Sequence, residues 1–255
     1  MRSSTMTSLF PIIVTAASIA VVSSAVSPAN AYSVIRTNAE AGNPSSYLYD
    51  VGLHGGDVGR KLDPITWSVA QNSNNSGLPV ELSAKAEITV NSFSSNMLSL
   101  AIKLTNTTTA NFQSSIVSFG FGVNPDVNGA QLLQDDQQTY DAVRVKSKAG
   151  FPGGFKNIDV CVFGGKTCNG GDIKEGLQSG GNFDSFTLNL FGNFGEDPRV
   201  TLSAFPLKFQ TAAGSYEAAG VPEPITVVGS GLALGFGTLF SKESAKKRKK
   251  AKVKA

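Results

Sequence analysis

The sequence predicts an all-β fold: a single antiparallel β-sandwich, jelly-roll-like, of about eight to ten strands with a hydrophobic C-terminal helix appended. Three observations carry the prediction. Apolar residues recur at every second position over many short runs. The runs are broken by Gly, Asn, Asp and Pro. Between residues 32 and 221 no stretch keeps a convincing helical period. With 255 residues, 41% hydrophobic and 16% charged, the chain suits one domain of this kind with accessory segments.

Taken in order, the first 31 residues read as a secretory signal peptide. Arg2 is a short positive start, Leu9 to Val22 is apolar, and Ala29-Asn30-Ala31 is a small-x-small cleavage site. Cleavage is expected between Ala31 and Tyr32, which implies the secretory translocon and signal peptidase as partners. A retained signal anchor is the alternative, and the well-formed site argues against it.

The domain is expected over 32–215. "ITWSV" is a short strand. "LPVELSAKAEITVNSF" alternates Val80, Leu82, Ala84, Ala86, Ile88 and Val90 against polar neighbours. "NMLSLAIKLTNTTTA" alternates Leu98, Leu100, Ile102 and Leu104. "IVSFGFGV" puts Val117, Phe119, Phe121 and Val123 on one side. "QLLQDDQQT" (131–139) is the one plausible short helix, with a loop equally compatible. "YDAVRVKS" and "IDVCVF" add strands. "DSFTLNLFG" alternates Phe186, Leu188 and Leu190, and "RVTLSAFPLKFQT" offers Val200 and Leu202, then Leu207 and Phe209. "AQNSNNSGLP" and "GGDIKEGLQSGGNF" read as exposed loops, and residues 211–221 as a linker.

Charge is divided unevenly. Residues 242–255 hold eight Lys/Arg and one acid, a net +7, while residues 32–221 hold 13 Lys/Arg and 17 Asp/Glu, a net −4. The basic balance therefore belongs to the tail. The domain lacks the basic footprint that nucleic-acid binding requires.

Two cysteines stand in "DVCVFGGKTCNGG". In an oxidising compartment a disulfide between Cys161 and Cys168 is the default. A two-residue turn at Gly164-Gly165 would pair Phe163 with Lys166, Val162 with Thr167, and Cys161 with Cys168. Partners so placed lie about 4.5–5.5 Å apart at Cα, within disulfide range.

The stretch 216–255 closes the chain. Val221-Pro222-Glu223-Pro224 precedes Ile225 to Phe240, 16 residues without a charge, and the lysine-rich block follows. A helix that long rises about 24 Å, short of the ~30 Å hydrocarbon core, and Lys242 can snorkel to extend it. The basic block favours the cytoplasmic side by the positive-inside rule. Pro222-Glu223-Pro224, apolar Gly-rich helix and basic tail, in that order, resemble the PEP-CTERM sorting signal. The resemblance implies recognition by exosortase, a membrane protease-transpeptidase. It also implies transient membrane contact through Ile225–Phe240, then release to the cell surface or extracellular matrix of a bacterium that makes exopolysaccharide. "SFGFGV", "NIDVCVFGGKTC", "DSFTLNL" and "GSYE" further resemble the cistern subfamily, named for its paired cysteines.

Catalytic and ligand-binding signals are sparse. His54, in "VGLHGGDVG", is the single histidine. No G-x-S-x-G elbow accompanies it, and a turn or partly packed histidine is the expectation. Asp135 and Asp136 are adjacent carboxylates of the kind that usually face solvent, although a glycosidase needs a pair. Asp126 and Asn128 in "NPDVNG" are oxygen ligands at spacing two, a weak calcium candidate beside the plainer reading of a turn. Trp67, Tyr47, Tyr49, Tyr140 and Tyr216 are the tryptophan and tyrosines that a carbohydrate site would draw on, with Trp67 expected in the core. Asn106-Thr107-Thr108 and Asn74-Asn75-Ser76 match the N-x-[ST] sequon. The reading is a non-enzymatic exported surface or matrix protein, without a required cofactor, associated with exopolysaccharide. The alternatives are a secreted glycosidase-like hydrolase and a calcium-dependent adhesive or carbohydrate-binding module.

Overall fold

A computed structural model describes residues 32–38, 47–73, 77–134, 139–145 and 151–223. The chain divides into two units, Met1–Asn30 and Ala31–Ala255. The first unit lies wholly outside the described residues, as do Ala29, Ala31, Pro224 and the segment Ile225–Phe240. Among the described residues no helix is long and apolar enough to cross a membrane.

Within the second unit the fold is almost entirely antiparallel strand. In chain order these are β1 (Ser33–Asn38), β2 (Tyr47–His54), β3 (Ile65–Val69), β4 (Leu82–Phe93) and β5 (Met97–Asn106). There follow β6 (Ser114–Asn124), β7 (Val127–Gln134), β8 (Ala142–Val145), β9 (Val160–Phe163) and β10 (Leu177–Gln178). Last come β11 (Phe183–Gly192), β12 (Arg199–Ser203), β13 (Pro206–Thr211), β14 (Gly214–Ala219) and β15 (Val221–Pro222). These fifteen exceed the eight to ten expected, because several are only two to six residues long. The chain 206–222, expected in part as a linker, instead forms β13, β14 and β15.

Two sheets face each other as a sandwich. One runs β15-β3-β4-β5-β11-β7. The other runs β1-β2-β12-β6-β13-β14, with β9, β8 and β10 attached through β6. Their inner faces share one apolar core, in which Trp67, Phe119, Phe121, Phe205 and Phe209 are among the largest fully buried side chains. The period-two runs supply it: β4 buries Leu82, Ala84, Ala86, Ile88 and Val90, and β5 buries Leu98, Leu100, Ile102 and Leu104.

Two β-bulges alter that period. On β4 the pairing with β5 skips Asn91, so Val90 and Phe93, three apart, both reach the core. On β6 the pairing with β13 skips Val117, so Ile116 and Phe119 both face in. Val117, expected on the core face, is buried outside the main core cluster. Between β12 and β13, Ala204 and Phe205 take positive φ of 69° and 43°, a conformation that costs about 1–3 kcal/mol for each non-glycine residue. The surroundings hold the bend: Phe205 O accepts hydrogen bonds from the Trp67 indole at 2.7 Å and from Gly220 N at 2.8 Å.

The two outer faces differ. The β6 sheet is overlaid by loops that form a second, smaller apolar cluster of Phe151, Ile158, Cys161, Phe163, Cys168 and Ala204. In "SFGFGV" the phenylalanines point inward and the alternating glycines outward. A Cβ on Gly120 would lie 2.7 Å from Val160 O of the paired strand β9 and 3.0 Å from Ile158 of the covering segment, so only glycine fits here. The disulfide Cys161–Cys168 is formed, with Cα atoms 6.2 Å apart. It does not close the expected two-residue hairpin. Instead β9 pairs with β6 and β8, and Cys168 sits in a loop beyond it. That loop is pinned to the sheet by Ser118 Oγ donating to Cys168 O at 3.0 Å. The buried Lys208 ammonium adds to this, donating to Asn169 O at 2.7 Å and pairing with Glu217 at 3.5 Å. No comparable layer covers the outer face of the six-stranded sheet among the described residues.

Candidate functional site

The uncovered face carries a surface hollow, a groove of about 400 Å³. Strand register builds it. Lys61 bridges to Thr89, Thr89 pairs with Ala101, Ala101 with Thr187, and Thr187 with Leu133. At about 4.8 Å per strand this row spans roughly 19 Å. A second row sets Glu87 beside Lys103 and Lys103 beside Ser185. All of these residues line the groove. The alternation that sends Ile88, Ile102 and Phe186 to the core turns these polar neighbours outward.

The electrostatics centre on one carboxylate. Glu87 accepts a hydrogen bond from Lys61 Nζ at 2.6 Å. That bond holds its carboxyl below the usual range, with Lys85 and Lys103 contributing further attraction. Lys103 Nζ lies 4.0 Å from the centroid of the Phe183 ring. It has no ion-pair partner among the described residues. Four large apolar side chains are exposed among the described residues, and three belong to this sheet: Leu133, Phe183 and Val221.

Leu133 and Phe183 were not among the residues the sequence singled out. Leu133 falls in the segment 131–139, read as a short helix or loop; its residues 131–134 belong to strand β7, paired with β11, and 135–138 lie outside the described residues. The adjacent leucines hide a strand because one packs on the core and the other faces out. Phe183, 46% exposed, heads the strand whose later members Phe186, Leu188 and Leu190 are buried. An outward phenylalanine in register with Ser185 and Thr187 is the signal that would have marked the groove.

A second hollow of about 310 Å³ lies on the other sheet, lined by Ser33, His54, Asn124, Arg199 and Thr201 among others. His54 ends β2 and caps the single-turn 3-10 helix Gly55–Asp57. Its Nδ1 accepts the Gly56 N–H at 3.1 Å, which commits that nitrogen to the turn. Asp57, fully buried, accepts the His54 backbone N–H at 2.9 Å rather than a ring N–H. This is a capping box, not the base-and-orienter geometry of a hydrolase. Burial pushes the Asp50 carboxyl up on the same strand.

The other sequence candidates are scattered. Asp126 is exposed between β6 and β7, and Asn128 lies on β7 rather than in an Asn-Gly turn. Among the described residues no group of three His, Cys, Asp or Glu side chains could hold a metal ion. Asp135, Asp136 and the Asn74 sequon lie outside the described residues. Asn106, in the other sequon, is fully buried: its Nδ2 donates to Leu177 O at 2.9 Å and its Oδ1 accepts from Thr108 N at 3.2 Å. It joins β5 to β10 and is closed to modification. Trp67 and Tyr140 are buried. Of the tripeptide, Pro222 is buried in β15 against β3, and Glu223 donates its N–H to Pro64 O at 2.8 Å and pairs with Lys85 at 3.6 Å.

Fold and site together define an antiparallel β-sandwich with one covered and one open sheet face, the open face bearing a polar, lysine-bearing groove. No protein-family model matches the chain, and no curated protein matches it.

Proposed function

We propose that this chain is a non-enzymatic, exported protein of the cell surface or extracellular matrix, whose β-sandwich holds exopolysaccharide in the groove of its open sheet. In this reading it is a PEP-CTERM sorting-domain protein of the cistern subfamily. The secretory translocon exports it, signal peptidase removes residues 1–31, and exosortase processes it at Pro222-Glu223-Pro224. The membrane contact through Ile225–Phe240 is then transient.

The observation that carries the binding reading is the bare outer face, where hydroxyls, lysines and the exposed Leu133 share one groove and the exposed Phe183 ring lies under Lys103 beside it. A polymer of sugars presents hydroxyls and apolar C–H faces together, and a surface mixing Ser, Thr and aromatic groups answers both. From β5 onward the chain passes repeatedly between the two sheets. That passage supports the jelly-roll-like description.

Two measurements test the reading. The intact mass of the protein recovered outside the cell is expected to lack both ends and to be lighter by two thiol hydrogens. A product retaining Met1 and Ala255 overturns the itinerary. The same protein is expected to sediment with the host's own exopolysaccharide, and its remaining free in solution overturns the binding role.

A further inference from the structure

We propose that the groove selects an anionic glycan, a polysaccharide bearing carboxylate groups, with Lys103 as the residue that receives the anion. This rests on the glycan reading above and adds a charge requirement to it. The domain carries a net −4, yet this face gathers Lys61, Lys85 and Lys103 around Glu87. The remaining carboxylates on that sheet are engaged elsewhere. Glu223 is at the β15 edge with Lys85, Glu81 accepts from Ser68 Oγ, and Asp184 on β11 is buried and accepts from Thr139 N at 3.1 Å. Lys61 is held by Glu87. Lys103 alone of the three touches no carboxylate among the described residues and rests instead on the Phe183 ring.

A cation on an aromatic face keeps its charge and remains free to donate its N–H groups upward. Lys103 stands mid-groove, in register between Glu87 and Ser185. A sugar carboxylate arriving there would meet the ammonium directly and the Ser185 and Thr187 hydroxyls beside it. Phe183 and Leu133 offer apolar surface at the flank. Glu87 would repel a carboxylate at its own place in the row, so the anion is received on the Ser185 side of Lys103.

Affinity electrophoresis and calorimetry with polygalacturonate and with neutral dextran test this. Polygalacturonate is expected to bind, and to bind more weakly as salt rises from about 0.01 M to about 0.15 M, where the screening length shortens to about 8 Å. Lys103→Gln should weaken binding roughly tenfold, about 1.4 kcal/mol, and Lys103→Arg should retain most of it. Far-UV circular dichroism checks that both variants fold, and the salt dependence of the unaltered protein stands if Lys103→Gln does not. Equal, salt-insensitive binding of dextran and polygalacturonate overturns the charge requirement while leaving the glycan reading intact. Binding of neither polymer overturns the assignment of an anionic glycan, and sedimentation with the host's own exopolysaccharide decides the glycan reading separately.

Discussion

Gly120 occupies a place no other residue fits. Its Cβ would press on Val160 O at 2.7 Å, on Ile158 Cγ2 at 3.0 Å and on Phe151 Cδ2 at 3.3 Å, and backbone cannot swing aside as a side chain would. Gly120→Ala is expected to lower stability by about 1–3 kcal/mol, seen as a lower denaturant midpoint with an unchanged slope. Two phenols set an alkaline limit. Desolvation pushes Tyr32 up to about 12, with the hydrogen bond to Asp63 adding to it. Burial pushes Tyr140, which donates to Ile116 O at 3.2 Å, well above the usual value of 10.0. The folded state holds both protons more tightly than the unfolded chain, whose phenols ionise near 10. The stability they confer is therefore intact below about pH 10 and falls as pH climbs through about 12. Denaturant midpoints at about pH 8 and about pH 11 should show the drop, and Tyr140→Phe should reduce it.

Elements that the sequence made plain are those with an undisturbed alternation. β4, β5 and β11 bury the residues their period-two runs single out, except Val80, which precedes β4 and is only partly buried, because each strand has one face on the core and one outward. Elements that stayed hidden fail that condition. β7 carries adjacent leucines on opposite faces. β14, "GSYEAA", is too short and too poor in apolar residues to declare itself. β15 is a proline-bearing edge strand, where proline is tolerated because its missing N–H faces no neighbour. The disulfide was expected from the two cysteines and is formed, but the two-residue hairpin expected to carry it is not. The sequence cannot reveal that β6 and β8 take the two edges of β9, where the return strand would lie. The bridge closes a short loop, and Cys161→Ser with Cys168→Ser is expected to cost about 2.5 kcal/mol, measured by chemical denaturation. Amide exchange should rise first in the 151–176 layer. At β15, Lys85→Ala removes the partner of Glu223. Limited proteolysis is expected to cut faster at residues 221–224 than in the unaltered protein, and an unchanged rate would show that β3 pairing alone holds the segment.

The whole molecule is organised by an inequality between its two outer faces. One is sealed by loops, a disulfide and a buried lysine; the other is open and carries the groove. The half of this plan written in hydrophobic periodicity can be read from the chain. The half that depends on which sheet the loops cover is a tertiary outcome, and no local pattern encodes it. That is why the candidate groove escaped the sequence, while His54, conspicuous there, serves as a helix cap.

The single tryptophan follows from the same plan. Trp67 sits between the sheets, 2% exposed, edge-on to Phe119 with ring centroids 6.0 Å apart. The groove lies on the opposite side of its sheet. Fluorescence emission from this protein is therefore a one-site optical gauge. It should shift to the red when the core takes in water and stay constant when a polymer settles outside. One cuvette then separates loss of fold from loss of grip for every substitution described above.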